Sequence, residues 1–257
     1  MRRAGRICIT VFMIMAFAVA PAFLRAESAG QNYYRTARKA YQAGKSEEAL
    51  SLYLLAHKVG RDDYWLWYGI AQCHFAAGRN DQTLAALGAC LARDARQAGA
   101  YILRGRVRQR QMRYPDAEQD YAIALRLNPN DGFACSQYAW LLEQDGRRAE
   151  AYPYRVRAAR LSPNDARALL AAARAALALE KCEEASVWCV HAARNAPDTS
   201  ALMEVQTEIY LVWSDTARRS GDIARARELL QTLLTRWPEG GHTEKAEARL
   251  TALRNLE

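Results

Sequence analysis

Apolar positions along this chain come in blocks that repeat, and nowhere do they alternate every second residue as a half-buried strand would. The segments EQDYAIALRLNPND, EAYPYRVRAARLSPND and EASVWCVHAARNAPDT share one design, and their prolines, Pro129, Pro163 and Pro197, stand 34 residues apart. The phase carries back through the chain. Ala49, Ala117, Ala151 and Ala185 hold one place, with Thr83 as its second occupant, and Ala56, Cys90, Ala124, Ala158 and Ala192 hold another. Tyr33, Trp67 and Tyr101 recur as a bulky residue early in each block, and Gly44, Gly78 and Gly146 mark a turn inside it. Glycine suits such a turn because it reaches positive φ without a Cβ clash. The pattern predicts helix–turn–helix units that stack, since one pair alone cannot bury its apolar face.

This pattern resembles the tetratricopeptide repeat (TPR) family, from about Gln31 to about Pro238. The resemblance implies an all-α, right-handed superhelical solenoid of TPR helix–turn–helix repeats with a C-terminal capping helix. The repeats fall at 30–63, 64–97, 98–131, 132–165, 166–199 and 200–240, and the cap at 241–257. Where the family favours glycine in the first helix, this chain has Ala37, Ala71, Gly105, Ala139 and Ala173, all small enough for close helix approach. Met112 and Glu180 replace the turn glycine in units three and five, so those turns are expected to be tighter or differently capped. Pro153 predicts a kink or a late start in its helix, whereas Pro115 fits a first helical turn. The sixth unit begins early, near Ser200, which predicts an elongated first helix. In the cap, Ala246, Leu250 and Leu253 form one apolar stripe behind Thr243 and Glu244.

Residues 1–26 read as a signal peptide: Arg2, Arg3 and Arg6 precede an apolar run, and small residues end it. An uncleaved anchor is the rival, and it is the only membrane contact expected. The reading is therefore of an exported, periplasmic or secreted TPR protein. The net charge of +8 falls to +4 once Arg2, Arg3, Arg6 and Arg25 are removed. That mild excess favours an acidic partner, and the even spread of basic residues argues against nucleic acid. Cys73 and Cys90 lie on the two helices of one unit and are the pair considered for a disulfide, against the reading that the cysteines are small core residues.

No catalytic motif is present, and His57, His74, His191 and His242 are scattered over different units. The chain reads as a non-enzyme with no cofactor and no metal site. Asp and Glu are expected on solvated helix faces. In the TPR family the first helices line the usual binding surface. That surface would carry Tyr34, Arg38, Tyr41, Trp65, Tyr68, Gln72 and Phe75 in units one and two. Ile102, Arg106, Gln109, Arg110, Phe133, Gln137 and Trp140 follow in units three and four, then Arg167, Arg174 and Leu177, then Asp215 and Arg218. Aromatic and arginine side chains dominate protein-binding hot spots. Packing between units is the alternative for Trp65 and Phe133, and Tyr33, Tyr53, Trp67, Tyr101 and Tyr121 are read as core. The expected function is a cell-envelope scaffold that holds a peptide or helix of a protein partner. The alternative is a polysaccharide- or peptidoglycan-binding module, since Trp and Tyr faces stack on sugar rings.

Overall fold

The computed structural model describes residues 28–196 and 200–254. The N-terminal segment 1–26 and Pro197 lie outside them. The described residues are helical apart from turns and short connections, with no strand. The chain divides into two compact units, Met1–Leu127 and Asn128–Glu257.

The first unit holds three helix pairs: α1 (28–42) with α2 (Ser46–Lys58), α3 (Tyr64–Ala76) with α4 (Asn80–Arg93), and α5 (Ala98–Arg110) with α6 (Tyr114–Leu127). The second holds α7 (Gly132–Gln144) with α8 (Arg148–Leu161), α9 (Ala166–Leu177) with α10 (Cys182–Asn195), α11 (Ser200–Arg219) with α12 (Ile223–Arg236), and a last helix α13 (Gly241–Arg254). Each helix packs on its partner, and pairs join through α2 on α3 and α4 on α5 in the first unit. In the second, α8 packs on α9, α10 on α11 and α12 on α13. Pro115 occupies the first turn of α6. Pro153 is exposed within α8, which already begins at Arg148, so the helix start is not delayed.

The recurring small residues sit where helices cross. Ala37, Ala49, Ala56, Ala71, Ala117 and Ala124 are wholly buried in the first unit, as are Ala139, Ala151, Ala173 and Ala185 in the second. Thr83 is buried in the alanine place because its Oγ1 donates to the Arg79 carbonyl at 2.8 Å, which satisfies the hydroxyl inside the helix. Tyr53 and Tyr121 are buried, and Tyr33, Trp67 and Tyr101 are half-buried. Asp63, Asp131, Asp165 and Asp222 cap α3, α7, α9 and α12 by accepting from a backbone N–H of the first turn.

The intra-pair turns correct one expectation. Met112 and Glu180 take φ of 57° and 58°, the left-handed conformation that Gly44, Gly78, Gly146 and Gly221 adopt at the same place. The hydrogen bonds match too. Gly44 N–H donates to the Tyr41 carbonyl and Lys45 N–H to that of Ala40, while Met112 donates to Gln109 and Arg113 to Arg108. Glu180 donates to Leu177 and Lys181 to Ala176. All close in one Schellman geometry. Stacking dictates the turn, and a non-glycine residue there accepts the left-handed strain, about 1–2 kcal/mol. Met112→Gly is therefore expected to raise stability by about 1 kcal/mol, read as a higher urea midpoint. Met112 suits this test because it is 76% exposed and has little packing to lose.

Acidic residues are not all solvated. Asp120 of α6 is fully buried and accepts from Arg104 Nε at 3.0 Å and Nη2 at 2.7 Å, and from Arg108 Nη1 at 2.8 Å. Arg104 and Arg108 stand one turn apart on α5, so both guanidinium groups reach one carboxylate.

Candidate functional site

In the first unit, two helix faces meet over a recess of about 570 Å³. Tyr34, Arg38 and Tyr41 come from α1, and Trp65, Tyr68 and Gln72 from α3, each set at the spacing that keeps residues on one helical face. All six are expected groove residues, and the fold brings them together. Tyr53 and Arg61 complete the wall, and Gly69 lies at its base. No carboxylate lines it.

The aromatic wall is braced ring on ring. Tyr64 stacks on Tyr68 at 5.7 Å between centroids and meets Trp65 edge-on at 5.0 Å. Tyr34 tilts against Tyr53 at 5.7 Å, and the Arg61 guanidinium lies 3.8 Å from the Tyr34 centroid. Burial, reinforced by Tyr34 and Cys73, pushes the Tyr53 hydroxyl well above the usual tyrosine range, so it stays a donor at neutral pH. Arg61 is partly committed, since its Nη2 pairs with Asp63 at 2.8 Å. Trp65 is 53% exposed at the mouth. The site thus offers apolar faces beside cationic donors.

Other expected groove residues part from this picture. Phe75 is buried, not presented: the guanidinium carbons of Arg106 and Arg110 lie 4.5 and 3.6 Å from its ring centroid. Arg110 Nη1 also donates to the Phe75 carbonyl at 3.1 Å. The cause is position: Phe75 ends α3, where the arginines of α5 fold over it. Ile102 and Gln109 are half-buried, and Gln109 Oε1 accepts from the buried Tyr121 hydroxyl at 3.1 Å.

In the second unit, Phe133 is exposed while Gln137 and Trp140 are half-buried. Arg174 pairs with Glu204 at 3.1 Å, Asp215 is held by Arg249 of α13 at 2.8 Å, and Leu177 is buried. This unit has its own recess of about 720 Å³ that residue types did not announce. Ala171, Ala175 and Ala178 line it, with Glu143, Arg148, Arg155 and Glu208 around them. Three alanines at i, i+4 and i+7 on α9 are the signal that would have found it: a recess opens where side chains stop short.

No family model matches the chain, and no curated protein matches it. Solved structures do. The structure of PilF from Pseudomonas aeruginosa shares 18% identity at a TM-score of 0.60, over 87% of this chain and 99% of that one. The structure of YrrB, a TPR protein with an unusual peptide-binding site, shares 19% at 0.59, over 76% and 97%. TTC0263, a thermophilic TPR protein of Thermus thermophilus, shares 23% at 0.50, over 71% and 100%. The fold is that of the TPR proteins.

Within this TPR fold the expected Cys73–Cys90 bridge is not formed. All five described cysteines are free and buried. Cys90 Sγ lies 3.5 Å from the carbonyl of Tyr64, at the start of α3, whereas Cys73 sits near the end of that helix. Nine residues of helix, about 13 Å, separate those levels, far beyond disulfide reach. Burial pushes the thiols of Cys73 and Cys90 up to about 12 and those of Cys182 and Cys189 up to about 11. Among the described residues no cluster of His, Cys, Asp and Glu is placed to hold a metal ion, and no helix is long and apolar enough to cross a membrane.

Proposed function

We propose that the chain is a non-catalytic scaffold whose first-unit recess takes a segment of a partner protein. The observation that carries this reading is the convergence of Tyr34, Tyr41, Trp65 and Tyr68 with Arg38 on two neighbouring helices, with no acidic side chain in the lining. Aromatic rings bury large area at small entropic cost, and a guanidinium fork grips carboxylates in a fixed geometry. The occupant would insert an apolar side chain beside Trp65 and place an acidic group at Arg38. A peptide-binding site in YrrB, which has the same fold, supports the class of ligand.

The test starts with the tagged chain purified from its own cells and its partner identified by mass spectrometry. Trp65→Ala and Arg38→Ala should each weaken binding of that partner about tenfold or more, with helicity unchanged by circular dichroism. Undiminished binding by both variants would sink the assignment. A glycan is the rival occupant, because the exposed Trp65 ring can stack on a sugar. It would show as quenching of Trp fluorescence by envelope oligosaccharides that Trp65→Ala abolishes, without any protein captured. We further propose that residues 1–26 direct export and are removed. The intact mass of the mature chain should then lack them, and a full-length mass from the envelope would count against cleavage.

A further inference from the structure

The burial of Phe75 has a chemical consequence. Its ring gathers two guanidinium groups, those of Arg106 and Arg110, at 4.5 and 3.6 Å from one centroid. Their carbons therefore lie no further apart than the sum of those two distances. Both residues are exposed, so the ring fixes the groups from beneath while the residues remain open to solvent. Arg110 is anchored a second time, through Nη1 to the Phe75 carbonyl. Two like charges are thus held close on one rigid support.

We propose that Arg106 and Arg110 form a binding site for a phosphate-type dianion. Charge and donor number decide between ligands. A carboxylate brings one negative charge and two oxygens, and satisfies one guanidinium fork. A phosphate monoester brings a charge of about −1.5 to −2 and three terminal oxygens, and can bridge both forks. The same oxygens occur on free inorganic phosphate and on a phosphorylated side chain of a partner. The site adjoins the first-unit recess: burial raises the pKa of the Tyr41 hydroxyl, which lines that recess, and the Arg106 charge opposes the rise. The dianion site stands whether or not the recess takes a peptide.

The experiment is calorimetric titration of the purified full chain at constant ionic strength with inorganic phosphate, sulfate, acetate and phenyl phosphate. Phosphate and sulfate should bind at least about tenfold more tightly than acetate. Phenyl phosphate binding more tightly than phosphate would identify the ester as the ligand form, through its ring in the recess, and equal affinity would identify the free ion. Arg106→Gln/Arg110→Gln should lose phosphate binding, and Trp65→Ala should keep it, which separates this site from the recess. If the double variant does not fold, Arg106→Gln alone decides, since Arg110 still covers Phe75. An affinity loss of about tenfold is expected for it. Acetate binding as well as sulfate, or unchanged phosphate affinity in the arginine variants, would overturn the proposal.

Discussion

Asp120→Ala lowers the stability of the chain by about 3 kcal/mol, seen as a fall in urea midpoint. The side chain is fully buried and neutralises two arginines, Arg104 and Arg108, at 2.7 and 2.8 Å. Removing it leaves two like charges facing each other across α5 with their acceptor gone. Their side chains are 24% and 21% exposed, so water reaches them in part, which places the loss at the lower end of the range for a broken buried pair. Asp120→Asn keeps the shape and one acceptor oxygen and should lose less. Equal stability of the alanine variant and the parent would mean that the triad is solvated and adds nothing.

Gly69→Ala is expected to cost about 2 kcal/mol, although alanine is the better helix former. A Cβ there would stand 2.5 Å from Tyr53 Cζ and 2.8 Å from both adjoining ring carbons. The Tyr53 ring is only 3% exposed and backs onto Tyr34, so it has no room to retreat. Gly105 is the control. A Cβ there would approach Tyr121 only to 3.1 Å, and Gly105→Ala should be milder. Combining Gly69→Ala with Tyr53→Leu should cost less than the two changes summed, because the clash and the ring vanish together. A fully additive pair would place the cause elsewhere.

The repeat itself was legible because helix crossings constrain volume directly. A residue such as Ala37 or Ala124 must be small whatever surrounds it, and the period shows through. The same logic placed Tyr34, Tyr41, Trp65 and Tyr68 on shared faces. Features that depend on a second element were harder to see. Phe75 and Trp65 look alike in sequence, yet one is covered by arginines of α5 and the other stands at the mouth of the recess. Asp120 reads as an ordinary polar position on α6, and only the Arg104–Arg108 spacing hints at its burial. Met112 and Glu180 suggested altered turns because residue type was allowed to outvote packing, and packing won. The second-unit recess is invisible to a search for large side chains, since it is made by alanines.

The enclosed thiols make folding a race with a clock. Cys73, Cys90, Cys182 and Cys189 are each covered by helices close to them in sequence, and such short-range closure is fast. Once shut in, a sulfur with its proton held this firmly offers almost no nucleophile to an oxidant. Until then, nothing shields it. In oxidising surroundings the order of events therefore decides the product: chains that close first stay monomeric and reduced, and those that linger open become cross-linked to one another.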